Sequence, residues 1–431
     1  MTAARTMEEI YPGCYAGTLS NGVKVLFEPR PDRPLSLGLW AKLGSRDEPP
    51  ELAGIAHFLE HMVFKGTAHR TAFQISAEID ALGGSINAMT SKEYTTYFVD
   101  VLPHHLEAAL DVLADLLLNP LFRPEDIEKE RNVVLEEIRM QEDTPHEKVF
   151  ELFSERLWDS EHPLARPIAG RFETVSRFDR EALWEFFALY DTRRVFLAAV
   201  GDVSPDELLR AAEEKLGGLR EPQEELPPRT PPQPQGGLLI EDRELQQAHI
   251  CLGTAGLPKG DPRRYALEVL NAVLGGGMSS RLFKRIREDL GLAYAVFSHP
   301  SYYSDSGQFV IYLGTEPKNA RQALEICREE IERLTREPVD DETLRIAKEK
   351  LKGHTLLGLE SSHARMIRLG YAEIYQTHHP VEEVLRRVEA VTAEDVRGVA
   401  RDLFLNDHYT LTVVGPEKQL ASLERAIPAL A

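Results

Sequence analysis

Two stretches of the sequence follow the same pattern at a separation of about half the chain. Residues 173–201 and residues 389–415 each run from a Thr- or Ser-capped amphipathic helix pattern into a short apolar strand pattern that ends in glycine, at Gly201 or Gly415. A second amphipathic helix is predicted after each glycine, over residues 202–216 and 416–427. Solenoid repeats are much shorter than this separation. The sequence therefore predicts a duplicated domain, with one copy in each half of the chain.

A proline-rich segment separates the two predicted copies. Residues 217–237 contain six prolines and four glycines in 21 residues, a composition that neither propagates a helix nor fits a central strand. We interpret this segment as a semi-rigid linker. The predicted domains are residues 1–216, the linker 217–237, and residues 238–431.

The fold class is predicted from the first half of the chain. Strand patterns occur in sequential pairs, and amphipathic helix patterns lie between them. This order indicates an α+β fold in which each half-domain is a largely antiparallel sheet with helices packed on one face. The predicted strand regions are 22–43 and 85–102, and the predicted helices are 54–64, 72–82, 105–118 and 124–141.

Composition and charge exclude several classes of protein. The net charge is −20, from 70 acidic and 50 basic residues, which disfavours nucleic acid as a partner. No apolar run is long enough to span a bilayer, and the first residues do not resemble a secretory signal, so no membrane partner is expected. Three widely spaced cysteines indicate reduced thiols. A reducing compartment, the cytoplasm, is expected, and an organelle matrix after removal of a transit peptide is the alternative.

The pattern H-x-x-E-H occurs once, at residues 57–61. On a helix, His57 and His61 are about 40° apart around the axis and can reach one metal ion. Glu60 lies on the same side and can accept a proton from water without being a ligand, as in zinc peptidases of the inverzincin type. A solvated polar face is the alternative, but the apolar flanks Gly54–Ala56 and Met62–Phe64 favour a buried cluster that needs a cation.

A catalytic zinc ion usually takes three protein ligands, and an acidic helix downstream offers the third. Glu130 and Glu137 are seven residues apart and share one face of that helix, whereas Glu136 is rotated by about 100° from Glu137. Exposed carboxylates of an ordinary charged helix remain the alternative for all three.

The sequence resembles the pitrilysin/insulinase family of zinc peptidases, in its two-domain, mitochondrial-processing-peptidase-like bacterial branch. A glutamate follows His61 by 76 positions, as in the family motif, which selects Glu137 as the third zinc ligand. Glu130 matches a family glutamate that supports the site from outside the ligand set. The resemblance covers nearly the whole chain and includes the motifs GSRDE at 44–48, NAMTSKEYTTY at 87–97, LGGGMSSRLF at 274–283 and GLAYAV at 291–296.

The resemblance implies a zinc-dependent endopeptidase with one Zn²⁺ per chain and Glu60 as general base. The second half lacks H-x-x-E-H and is expected to bind substrate instead of metal. Arg287 and Tyr294 match a pair that hydrogen-bonds peptide carbonyls in the family. Asn87 and Ala88 match the edge strand on which family members lay the substrate backbone.

The resemblance also implies partners. Active members of this branch are dimers that enclose a chamber for peptides or unfolded segments. We expect a homodimer, with a heterodimer with a related subunit as the alternative. A second interpretation of the whole chain is a non-catalytic subunit or a peptide-binding partner of a peptidase complex, but the retained H-x-x-E-H motif counts against it.

Overall fold

The computed structural model describes residues 6–223, 225–405, 408–416, 418 and 423, and these residues form two compact units. Unit 1 comprises Met1–Ile138, Pro167–Arg229 and Leu357–Pro380, and unit 2 comprises Arg139–Arg166, Thr230–Leu356 and Val381–Ala431. Neither unit is a continuous half of the chain. The division at residues 217–237 into two homologous halves therefore stays a prediction about sequence.

The described residues form twelve strands and fourteen α-helices. The strands are β1 (Glu8–Tyr11), β2 (Cys14–Thr18), β3 (Lys24–Pro29), β4 (Leu35–Ala41), β5 (Ser85–Thr90), β6 (Thr95–Val101), β7 (Val195–Gly201), β8 (Gly237–Asp242), β9 (Ala248–Gly256), β10 (Ala293–Tyr302), β11 (Gly307–Thr315) and β12 (Thr410–Gly415). The helices are α1 (Ile55–Val63), α2 (Ala72–Ala81), α3 (Leu106–Leu118), α4 (Pro124–Asp143), α5 (Pro145–Leu157), α6 (Phe172–Val175), α7 (Arg180–Phe187), α8 (Pro205–Leu216), α9 (Arg264–Leu274), α10 (Ala320–Arg336), α11 (Asp341–Gly358), α12 (Ser362–Ile374), α13 (Val381–Ala390) and α14 (Ala393–Phe404).

Unit 1 is built on a seven-stranded sheet with the order β1-β2-β3-β7-β4-β6-β5. All neighbouring strands are antiparallel except β3 and β7. Strand β5 is therefore an edge strand that pairs only with β6 among the described residues. This edge position agrees with the role predicted for the segment that contains Asn87 and Ala88.

The two faces of the unit 1 sheet are covered differently. Alternate residues such as Leu37 and Leu39 pack into a core with α1, α3 and α8, whereas Trp40 points to the opposite face. That opposite face is covered by α12, a helix from the second half of the sequence that supplies Met366 and Leu369. The covering helix was not predicted.

Unit 2 repeats this plan with a five-stranded sheet of order β10-β11-β9-β12-β8, in which only β12 and β8 are parallel. Helices α9 and α14 pack on one face. The other face is covered by α5, a helix from the first half of the sequence that supplies Val149 and Phe153.

The predicted fold class, an α+β fold with two largely antiparallel sheets, is confirmed. The prediction of helices on one face of each sheet is corrected, because the second faces are also apolar and are buried by α12 and α5. Each predicted helix of the first half is present, and Pro124 begins α4 as its fixed φ angle favours. The helix predicted over residues 416–427 lies outside the described residues, apart from positions 416, 418 and 423. No helix formed by the described residues is long and apolar enough to cross a membrane.

Candidate metal centre

Helix α1 has an anchored start. The carboxylate of Glu48, which is 4% exposed, accepts hydrogen bonds from the backbone N–H groups of Gly54 and Ala56, each at 2.8 Å. The N–H groups at the start of a helix have no acceptors inside the helix, so Glu48 satisfies two of them. A carboxylate at this end also complements the helix dipole. Gly54 adopts φ +99°, a left-handed conformation that favours glycine. The entry into the helix is thereby fixed.

The apolar residues of α1 determine where its polar residues point. Ile55, Ala56, Phe58, Leu59, Met62 and Val63 are buried in the core of unit 1. The three remaining positions, His57, Glu60 and His61, are only partly buried and share the other side of the helix. Helical periodicity therefore gathers the polar residues of H-x-x-E-H into one cluster, as the spacing predicts.

Helix α4 brings a carboxylate to this cluster. Glu137 places Oε1 3.7 Å from His57 Nε2 and Oε2 3.7 Å from His61 Nε2. One ligand atom from each of the three residues can be chosen so that all lie within 4.8 Å of one another. Two atoms that bind the same tetrahedral zinc ion at about 2.1 Å are roughly 3.4 Å apart, so only a small contraction would be needed. Two imidazoles and one carboxylate are also a common donor set for catalytic zinc.

Among the described residues, no other group of three or more His, Cys, Asp or Glu side chains meets the same distance condition. Glu136, the neighbour of Glu137, is not part of the group. The structure thus brings together the three residues that the family motif selects.

Glu130 lies behind the cluster and orients one of its imidazoles. Its Oε1 is 2.8 Å from His61 Nδ1, and its Oε2 is 2.7 Å from Lys65 Nζ. When Nδ1–H donates to this carboxylate, Nε2 of His61 is left with a lone pair for a metal ion. Burial alone would raise the pKa of Glu130, but the hydrogen bonds with His61 and Lys65 exceed this effect and lower it.

The two histidines have different surroundings. Burial, with a smaller contribution from His61, lowers the pKa of His57 to about 4, so this imidazole is neutral at pH 7. Burial would also lower the pKa of His61, but the hydrogen bond with Glu130 and the charges of nearby carboxylates raise it instead. Because a metal ligand must be a neutral imidazole, binding of a cation would release a proton whenever His61 is charged.

Glu60 faces the same side of α1 and contacts β5. The hydroxyl of Thr90 donates a hydrogen bond of 2.5 Å to Glu60 Oε2. Burial raises the pKa of the Glu60 carboxyl above its ordinary value, and the Thr90 hydrogen bond partly offsets this. A carboxyl with a raised pKa is better matched to proton transfer near neutral pH.

The predicted substrate-binding residues of unit 1 lie on β5. Asn87 is exposed, and its Oδ1 accepts a hydrogen bond of 2.8 Å from the backbone N–H of Ala88. Ala88 packs partly against the core of unit 1. These two residues therefore occupy the open edge of the sheet.

The predicted substrate-binding residues of unit 2 lie close to each other. Arg287 belongs to a π-helical segment, Phe283–Asp289, and its guanidinium is 5.1 Å from the ring centroid of Tyr294 and 5.0 Å from that of Phe283. The side chain of Tyr294 is 74% exposed. Both polar groups are thus available to a ligand of unit 2.

Three contributors to the site were missed at the sequence level, namely Glu48, Lys65 and Thr90. Glu48 lies in GSRDE, which was noted only as part of the resemblance. Lys65 follows His61 by four residues, the spacing at which helical residues share a face. Thr90 follows Ala88 by two residues in β5, so the two side chains share one face of the sheet. The sequence does not show that this is the face covered by α1.

Comparison with protein families agrees with this geometry. The family described as insulinase (peptidase family M16) matches residues 24–171, which contain the whole His57–Glu60–His61–Glu137 cluster. The family described as peptidase M16 inactive domain matches residues 177–351.

Similar proteins are found in several bacteria. An uncharacterized zinc protease of Streptomyces coelicolor is 40% identical over 422 residues, which cover 95% of this chain and 92% of that protein. The uncharacterized zinc protease YmxG of Bacillus subtilis is 41% identical, with coverage of 94% and 99%. A solved structure of a protease from Helicobacter pylori has the same fold, with a TM-score of 0.87 and 22% identity over 96% of this chain and all of that one.

Proposed function

Because the chain belongs to the insulinase family, peptidase family M16, we propose that it is a zinc-dependent endopeptidase that cleaves peptides or unfolded segments. The observation that carries the proposal is the convergence of His57, His61 and Glu137 beside the carboxylate of Glu60. The names of the bacterial relatives support zinc as the metal.

His57, His61 and Glu137 would hold one zinc ion per chain. When bound, zinc supplies Lewis-acid polarisation of the scissile carbonyl and lowers the pKa of water. Glu137 contributes negative charge beside two imidazoles, and Glu130 keeps His61 in the tautomer that leaves Nε2 free.

Glu60 acts as general base and then as general acid. In its ionised form the carboxylate accepts a proton from the attacking water, and it then donates this proton to the leaving amine. Its position three residues from His57 and next to His61 keeps it beside the metal ligands without competing with them. The raised pKa of Glu60 suits both roles.

Substrate binding is divided between the two units in this proposal. The open edge of β5, at Asn87 and Ala88, would pair with an extended peptide backbone by strand addition. Arg287 and Tyr294 would hydrogen-bond peptide carbonyls. We further propose a homodimer that encloses the substrate, which would favour unfolded segments over folded proteins. An equilibrium mass measurement that finds only monomer at micromolar concentration would contradict this last proposal.

The central test combines metal analysis with a peptide-library digest in the presence and absence of a chelator. The purified protein should contain one zinc ion per chain, and its hydrolysis should stop with the chelator and return with zinc. The Glu60→Gln variant should retain zinc while its turnover falls about 10²- to 10⁴-fold. Hydrolysis at the parent rate by this variant would show that Glu60 is not the general base.

A further inference from the structure

The hydroxyl of Thr90 lies 2.5 Å from Oε2 of Glu60. We propose that Thr90 is a positioning residue, which holds the Glu60 carboxylate in the one orientation that serves proton transfer. The inference rests on the proposed function, because it assigns a task to Thr90 through the general base of that reaction. Thr90 is not proposed to contact the substrate.

The direction of the Thr90 side chain follows from its place in β5. Side chains alternate between the two faces of a sheet, and Ile86 and Ala88 pack partly against the core that contains α1. Thr90 continues this series at the end of the strand, whereas Met89 packs against the opposite face. Its hydroxyl therefore points toward α1 because of the strand register.

The backbone that follows Thr90 is held by hydrogen bonds. In the turn that follows, the carbonyl of Ser91 accepts a hydrogen bond from the N–H of Ser45 at 3.1 Å, and the carbonyl of Lys92 accepts one from the N–H of Arg46 at 2.7 Å. The side chains of Arg46 and Glu93, 1% and 0% exposed, form an ion pair of 2.7 Å. The end of β5 thus has little freedom to move away from Glu60.

The hydrogen bond restricts a side chain that is otherwise adaptable. A glutamate has three rotatable side-chain bonds, and the last of them rotates broadly. A donor held on a fixed strand confines one carboxylate oxygen, and this determines the direction of the other. Threonine suits the task because its branched β-carbon limits rotation about χ1.

An equivalent hydrogen bond occurs in unit 2 without the catalytic residues. Ser298 of β10 donates to Asn271 Oδ1 of α9 at 2.7 Å. A hydroxyl that joins the edge strand to the helix is thus a feature of both sheets. In unit 1 the partner at the helix is the predicted general base, so the bond bears on turnover in unit 1 and not in unit 2.

The test compares three variants of the full-length, zinc-loaded protein. Thr90→Val removes the hydroxyl and keeps the shape, Thr90→Ser restores a hydroxyl, and Ser298→Ala removes the matched bond in unit 2. We expect Thr90→Val to lower kcat by roughly 10- to 100-fold, with KM within about 3-fold of the parent value. Thr90→Ser should recover most of kcat, and Ser298→Ala should leave it unchanged. Zinc content should equal that of the parent in all three.

A structural measurement separates this inference from the proposed function. In crystals of the zinc-loaded parent, the Glu60 carboxylate should occupy one conformation, and in Thr90→Val it should occupy more than one. Unchanged kcat in Thr90→Val, kcat in Thr90→Ser as low as in Thr90→Val, or a single Glu60 conformation in Thr90→Val would overturn the inference. A parent without chelator-sensitive hydrolysis would contradict the proposed function. The number of Glu60 conformations in Thr90→Val would still show whether Thr90 positions this carboxylate.

Discussion

Helices α1 and α9 occupy corresponding places in units 1 and 2. Each follows a strand of its own sheet and contacts the edge strand, β5 or β10. We match the buried apolar residues of the two helices, from Ile55 with Ala266 to Val63 with Leu274. In this match, the three polar positions of α1 correspond to different residue types in α9. These pairs are His57 with Glu268, Glu60 with Asn271, and His61 with Ala272.

The comparison separates what the fold requires from what the chemistry requires. Both helices keep the buried face, and both receive a hydrogen bond from a hydroxyl on the edge strand, Thr90 to Glu60 and Ser298 to Asn271. The imidazoles occur only in α1. The fold therefore fixes the position and direction of the helix, and the residues on its outer side decide whether the helix can supply metal ligands.

The largest effect is expected from His61→Ala, which gives α1 the residue that α9 carries at the matched position. The variant loses one of three ligands, so zinc should be absent after dialysis and hydrolysis should fall below detection. Metal analysis and the peptide digest measure both. His69→Ala, a histidine outside the cluster, is the control and should retain zinc. Full zinc content in His61→Ala would mean that the metal is held elsewhere.

The sequence predicts the metal cluster more completely than it predicts its surroundings. The spacing of His57 and His61 follows from helical periodicity, which acts within one element. Helical geometry alone left Glu137 and its neighbours open, because the third ligand comes from another helix, and only the family motif selected it. The packing of α12 on the unit 1 sheet brings together residues that are more than 300 positions apart, such as Trp40 and Met366. No local sequence pattern predicts this packing.

A smaller loss is expected when the orientation of His61 is disturbed and its identity is kept. Glu130→Gln replaces a charged acceptor for Nδ1–H with a neutral amide, so the affinity for zinc should fall about 10- to 100-fold. Competition with a chelator of known affinity measures this. Glu136→Gln is the matched control on the same helix and should bind zinc like the parent. Equal losses in the two variants would indicate a general effect of charge on α4.

The helices that cover the outer faces of the two sheets differ as well. In unit 2, α5 is held mainly by apolar and aromatic contacts, with Phe153 buried and Phe150 stacked on Tyr312 at a centroid distance of 5.5 Å. In unit 1, α12 packs closely against Trp40 and adds a buried carboxylate, Glu373. This carboxylate pairs with Lys24 of β3 and with Lys42, which follows β4. Both helices therefore pack closely on their sheets, but only α12 contributes a buried carboxylate.

The close contact can be tested at Gly370, where a β-carbon would overlap the indole ring of Trp40. Alanine favours helix by about 1 kcal/mol over glycine, but the overlap should outweigh this and give a net loss of about 1–3 kcal/mol in the free energy of unfolding. Gly398→Ala on α14 is the control, because a β-carbon there meets no atom within 4 Å. Urea denaturation should show Gly370→Ala less stable and Gly398→Ala more stable than the parent. A stabilising Gly370→Ala would contradict the packing.

The smallest effect, and one that depends on pH, is expected from the buried charge of α12. Glu373 Oε2 is 2.6 Å from Lys24 Nζ, and Oε1 is 2.8 Å from Lys42 Nζ. Burial alone would raise the pKa of Glu373, but hydrogen bonds from His378, Lys24 and Lys42 hold it well below its ordinary value. A carboxyl whose pKa is lower in the folded state than in the unfolded state stabilises the fold at pH values above its unfolded pKa of about 4.3. This contribution to stability is lost as the pH falls toward the folded pKa.

Glu373→Gln should therefore lower the free energy of unfolding by about 1 kcal/mol at pH 7, since the two lysines are partly exposed. The difference from the parent should shrink below about pH 4.3, whereas a difference that does not change with pH would show that the charge of Glu373 is not what holds α12.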